Sequence, residues 1–264
     1  MKFKWLKRCA NLILLMLLLP LTSVKSNASG AITVVSEKKP IATLHYDPSG
    51  SNAWYPYYIN DQDQPGILPE ITGLILSSAN IEGIRKTFPP KRTNVALQRG
   101  EIDFDFVSLD WLPDNASRDP FVFSDGILRI KEYVVSLRGY QPPESIIELN
   151  QLGTVRGYYY HNEQEFERID FTSERELILA LKLKRIGQVI IGDLPALYWS
   201  KQLNIPIQFN ELHSDGELRI RLRKEYRHLL PNLNSAIEQM TNNGKLAEIV
   251  GRYIDHEPVN IVVL

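Results

Sequence analysis

Strand-length apolar runs alternate with helix-length amphipathic runs from residue 41 to residue 253. That alternation restricts the chain to open α/β sheets covered by helices. Ile41–Tyr46 reads as the first strand, followed by the turn residues Asp47-Pro48-Ser49-Gly50. Leu68–Ala79 sets Leu68, Ile71, Leu74 and Ile75 at helical spacing. Ile84–Phe88 suits a short strand, and Thr93–Arg99 a helix stopped by Gly100. Ile102–Val107 alternates Ile102, Phe104 and Phe106 with Asp103 and Asp105, the period of a strand. A long apolar strand follows at Glu132–Leu137. In the second half Gly153–Val155, Gln188–Ile191 and Leu218–Leu222 read as strands. Asn162–Arg168, Glu174–Lys184, Leu194–Gln202, Pro231–Asn242 and Lys245–Tyr253 read as helices. In such sheets ligands sit at the carboxyl ends of strands, near topological switch points.

The first 28 residues follow other rules. Lys2, Lys4, Lys7 and Arg8 make a basic start, Leu12–Leu19 an apolar core, and Ser26-Asn27-Ala28 a small-residue exit. This is the pattern of a secretory signal cleaved near Ala28, with an apolar run shorter than the ~20 residues of a membrane span. Its removal takes five of the 30 Lys and Arg residues and leaves 25 basic against 31 acidic residues, a net charge of −6. An acidic exported protein is a poor nucleic-acid binder, because phosphate contacts need clustered Lys and Arg. The one cysteine, Cys9, precedes the apolar core, so the mature chain carries neither disulfide nor thiol chemistry.

Seven segments, in order, resemble the bacterial extracellular solute-binding proteins of family 3, the periplasmic receptors of polar amino acid transporters. They are the aromatic loop Trp54-Tyr55-Pro56-Tyr57, then Pro65-Gly66-Ile67-Leu68-Pro69-Glu70-Ile71, then Ala96-Leu97-Gln98-Arg99-Gly100-Glu101-Ile102-Asp103. Arg118 with Phe123-Ser124-Asp125 comes next, then Leu152-Gly153-Thr154-Val155-Arg156-Gly157 and Val189-Ile190-Ile191-Gly192-Asp193-Leu194-Pro195-Ala196. The C-terminal pair is Leu230–Ile237 and Gly244-Lys245-Leu246. The resemblance implies a type II periplasmic-binding-protein-like α/β fold: two lobes joined by two crossing strands, with a cleft between them. The crossings fall near Tyr133–Arg138 and Glu217–Leu222. Lobe one is then residues 29–136 plus 223–264, and lobe two residues 137–222. It further implies a monomer that hands a small amino-acid-like ligand to an inner-membrane permease, without a cofactor.

An amino acid buried in a cleft needs partners for its ammonium and its carboxylate, since an unpaired buried charge costs several kcal/mol. The resemblance assigns the ammonium to Asp193, which the residues alone also suit as a helix cap before Leu194-Pro195. It assigns the carboxylate to Arg118, although the approach Leu109–Asn115 departs from the family's Thr-rich loop, and an ion pair with Asp114 or Asp119 fits Arg118 equally. Trp54 matches the family's stacking aromatic, with Tyr57 and Trp111 extending the wall. Gly157 and Tyr158 fall where the family has a helix N-terminus for the carboxylate, and Arg156 is a substitute partner for it. Asp110 stands where the family often has Thr. The cluster Asp103, Asp105, Asp110 and Asp114 lacks the spacing of a metal loop, and the five His residues are scattered. Two other readings share the fold: a ligand-binding partner of a membrane sensor, and a periplasmic prephenate or arogenate dehydratase-like enzyme with Glu163 or Glu165 as its acid. Asn115-Ala116-Ser117 fits a glycosylation acceptor that a bacterial chain leaves unmodified.

Overall fold

The computed structural model describes residues 39–48, 54–59, 61–112, 118–141 and 150–254. The expected signal segment, Cys9, Asp114, the acceptor at Asn115 and His256 lie outside them. Among the described residues no helix is long and apolar enough to cross a membrane.

Among the described residues nine strands form one hydrogen-bonded sheet. They are β1 (Ala42–Tyr46), β2 (Ile81–Arg85), β3 (Phe104–Ser108), β4 (Phe121–Phe123), β5 (Leu128–Leu137), β6 (Gln151–Val155), β7 (Glu167–Phe171), β8 (Gln188–Gly192) and β9 (Ile207–Arg223). Among the described residues six helices cover them: α1 (Ile67–Ser78), α2 (Pro90–Arg99), α3 (Glu174–Lys182), α4 (Asp193–Leu203), α5 (Leu230–Asn242) and α6 (Lys245–Tyr253). The strand order is β2-β1-β3-β9-β5-β8-β6-β7, with β4 added on β9. Pairing is parallel within β1, β2 and β3 and within β6, β7 and β8, and antiparallel where β9 and β5 join those groups.

Two separate cores give the sheet its two lobes. Leu44, Ile67, Ile71, Phe104, Ile220 and Leu233 anchor the first, between the β1–β3 group and helices α1, α5 and α6. Val135, Val155, Leu177, Ile178 and Val189 anchor the second, under α3 and α4. The long strands β5 and β9 run antiparallel through both, from Leu128 opposite Leu218 to Leu137 opposite Ile207. Their pairing shifts register between Glu132 and Tyr133, where Ser214 and Leu212 are successive partners and His213 is left over. Such a bulge bends the strand and re-aims its side chains. The strand expected at Leu218–Leu222 is thus the end of a 17-residue element. Residues 218, 220 and 222 pack in the first core.

Helix ends follow local chemistry. Pro90 opens α2, and Gly100 closes it in the left-handed region at φ 74°. Ser173 caps α3 by accepting the Glu176 N–H at 3.3 Å. Two sequence expectations fail. The strand expected at Ile84–Phe88 lies at Ile81–Arg85. The helix expected at Asn162–Arg168 is a single 3-10 turn, Glu163–Glu165, leading into β7. Arg168 accounts for the second: its guanidinium donates to the carbonyls of Val155 and Tyr158 and pairs with Glu163 and Asp170. Those bonds hold residues 155–163 as a loop, against helix formation.

Candidate functional site

A cavity of about 70 Å³ lies between the lobes. One water needs roughly 10–15 Å³ of such space, so the cavity holds several waters or a compact group. Its floor is Ile130–Glu132 of β5, with Arg221 of β9 beside β3. Its walls come from the 54–58 loop, α2, β3, the 157–160 loop and the ends of β8 and α3.

Aromatic rings line it from both sides. Trp54 and Tyr57 pack together at 4.8 Å between centroids, and Trp54 meets Tyr158 of the second lobe at 6.5 Å. Tyr158 lies 6.4 Å from Tyr160, and Trp111 closes another wall. Outside the cavity Tyr55 stacks on Tyr198 across the lobes at 3.5 Å.

Five charged side chains line the same space: Asp105, Lys131, Glu132, Glu174 and Arg221. Asp105 and Arg221 are register partners on β3 and β9. Arg221 donates from Nε and Nη2 to the two Asp105 oxygens at 2.8 and 2.5 Å, and from Nη2 to Asn94 at 2.8 Å. Tyr159 lies close enough to favour its charged form. Burial pushes the Asp105 carboxyl up, and Arg221 draws it back. Glu132, 7% exposed, accepts the Ser214 hydroxyl at 2.8 Å. The Trp111 indole Nε1 is buried beside it without closing a bond of ordinary geometry. Burial lifts the Glu132 carboxyl to about 7, and Glu174 and Asp193 push in the same direction. Glu174 accepts the Tyr158 hydroxyl at 2.8 Å. Burial, then Asp193 and Glu132, raise the Tyr57 phenol well above its ordinary range.

The cavity brings together Trp54, Tyr57, Trp111, Gly157 and Tyr158 of the residues expected from sequence. Four others do not line it. Asp193 is the first residue of α4, whose N-cap is Gly192, so it is not the cap its sequence suits; it accepts the N–H of Leu194 at 2.7 Å and stays close enough to bear on Tyr57 and Glu132. Arg118 turns its Nη2 to the carbonyl of Leu109 at 2.8 Å, and its Nε is buried without a partner. Asp110 packs its carboxylate against Gly216, and its carbonyl meets His161 Nδ1 at 3.1 Å. Arg156 is exposed. No helix starts at Gly157–Tyr158: Gly157 takes φ 86° in a tight turn, and the N-terminus expected there for a carboxylate is absent. Glu163 and Glu165 stand outside the cavity lining, Glu163 in the ion pair with Arg168. Asp103 accepts the His45 N–H at 2.7 Å.

The shape is decisive against solved structures. An arginine-specific periplasmic binding protein of Salmonella typhimurium matches at TM-score 0.66 and 18% identity, covering 81% of this chain and 100% of that one. The fold is that of the type II periplasmic binding proteins. A mutant of the arginine-binding protein of T. maritima matches at TM-score 0.65 and 15% identity, over 80% of this chain and 94% of that one. A histidine kinase sensor domain described as similar to periplasmic binding proteins matches at TM-score 0.66 and 12% identity, over 83% and 97%. No protein-family model matches the chain, and no curated protein matches it by sequence.

Within this binding-protein fold, the charged residues of the cleft are those the sequence hid best. Glu132 begins an apolar strand and reads as its exposed edge. Arg221 alternates with Leu218, Ile220 and Leu222 and reads as a solvent-facing position. The usable signal is a charge on a strand with both faces covered: all five positions of β3, Asp105 included, are buried.

Proposed function

We propose that the protein is a periplasmic solute-binding receptor, a divergent relative of family 3, that captures an amino acid or related small charged solute between its lobes. It passes that solute to an ABC-type permease of the inner membrane. The observation that carries the reading is the cavity itself: it lies over the two strands that join the lobes, and rings and buried charges from both lobes line it. The likeness to amino-acid-binding proteins supports it. Trp54, Tyr57, Trp111, Gly157 and Tyr158 form the ligand wall in this reading, and Arg118, Asp110 and Arg156 act outside it. Export by residues 1–28 and lobes of 29–136 plus 223–264 and 137–222 belong to the same proposal.

No catalysis is proposed. The acids required by the dehydratase reading, Glu163 and Glu165, are not in the cavity lining. The test is a thermal-shift screen of the purified protein against amino acids, polyamines, small carboxylates and prephenate, with chemical analysis of each hit. A ligand at 100 times its Kd adds about 2.7 kcal/mol of stability. A hit recovered unchanged supports the receptor, a consumed hit supports an enzyme, and a flat screen overturns both.

A further inference from the structure

We propose that the cleft selects an organic cation carrying no carboxylate, an amine or guanidinium, and that Glu132 receives its charge. The inference rests on reading the cavity as the solute site and names the class of solute.

The lining holds three carboxylates, Asp105, Glu132 and Glu174, against two cations, Lys131 and Arg221. An amino acid brings a carboxylate of its own, which must find a cation inside. Arg221 is engaged: Asp105 takes it through two bonds, and Asn94 takes a third. Lys131 lies within the field of Asp193 and Asp215. Arg118, the residue expected to serve the carboxylate, is turned to the Leu109 carbonyl. The helix N-terminus expected at Gly157 is not formed.

Glu132 has the opposite problem. Among the described residues no ion pair reaches it, and the groups facing it supply no cation. Ser214 faces it from β9, Trp111 from the 3-10 turn after β3, Glu174 from α3, Asp193 from α4, and Tyr57 and Tyr160 from the loops. A buried carboxylate without a counter-ion is costly, and a cationic ligand removes that cost. Ring faces from Trp54, Tyr57 and Tyr158 attract a cation in addition.

The experiment compares matched probes by isothermal titration at pH 8: agmatine against L-arginine, and cadaverine against L-lysine. The expected result is that the amine of at least one pair binds at least tenfold tighter than its amino acid. Glu132→Gln then weakens that amine at least tenfold. A second measurement on the unaltered protein guards against misfolding of the variant: amine affinity falls at least fivefold from pH 8 to pH 5.5, as Glu132 gains a proton. Glu174 and Asp193 are the other carboxylates that face it. Tighter binding of the amino acids, or only of anions in the wider screen, overturns the cation class and leaves the receptor standing. An amine that binds Glu132→Gln as well as the parent overturns the role of Glu132. Silence of all four probes and of the wider screen overturns the receptor as well.

Discussion

Replacing Glu132 by Gln makes the ligand-free protein more stable, and the gain grows with pH. Gln keeps the size of the side chain and an oxygen for the Ser214 hydroxyl, so the change removes an ionisable group with little repacking. Burial lifts the Glu132 carboxyl from 4.5 to about 7. The folded state therefore holds this proton more tightly than the unfolded chain, the reverse of a salt-bridged carboxylate. Stability from this group is fully present at low pH, falls as pH rises from about 4.5, and levels off above about 7. At 1.36 kcal/mol per pH unit this corresponds to about 3 kcal/mol in all, of which about 2–3 kcal/mol is lost between pH 5 and pH 8. The gap in Tm between variant and parent should widen over that interval by roughly 5–10 °C at 2–4 °C per kcal/mol. Differential scanning calorimetry of dialysed protein at pH 5 and pH 8 measures it. Glu174 and Asp193 are relieved when the Glu132 charge goes, which adds in the same direction. A gap that is independent of pH, or a variant less stable than the parent at pH 8, refutes the reasoning.

Arg221→Met leaves Asp105 buried without its partner and should cost about 3–5 kcal/mol, read as a lower urea midpoint; the double change Asp105→Leu with Arg221→Met should recover most of it. Gly157→Ala would set a methyl 2.5 Å from the Lys91 backbone nitrogen at φ 86°. The left-handed backbone alone costs about 1–2 kcal/mol, and the methyl should hold the lobes apart, seen as a larger radius of gyration in solution scattering. Burial, with His161 adding, holds His213 down at about 4, so its contribution is present above the unfolded value near 6.5 and is lost as pH falls toward 4. His213→Gln should flatten that acid limb by about 1–2 kcal/mol, a figure reduced for partial exposure, in urea titrations at pH 4 and pH 7.

The alternation of short strands with amphipathic helices was legible because each element buries one face, and the spacing of Leu68, Ile71 and Ile75 records it. The aromatic wall was pointed to by the family resemblance, not by a local pattern: it matches Trp54 to a stacking aromatic, and the cavity lining holds Trp54, Tyr57, Trp111 and Tyr158. The charges were not. Asp105 and Arg221 are far apart in sequence and meet only through the β3–β9 register. The burial of Glu132 depends on β5 being flanked by β8 and β9, and its direction on the bulge at His213, neither of which has a local signature. The missing helix at Asn162–Arg168 has the same origin: Arg168 reaches back to carbonyls thirteen and ten residues earlier, and periodicity carries no trace of that.

The central claim is that a charged solute binds between the lobes. The most direct measurement is the distance between spin labels placed on the exposed residues Gln98 of α2 and Glu176 of α3. Cysteine pairs there label cleanly, since the natural chain has one cysteine, Cys9, which is replaced if retained. Titration with a solute found in the thermal screen should shift or narrow the distance distribution, with a midpoint at its Kd. A distribution that stays the same while the solute binds contradicts a site between the lobes.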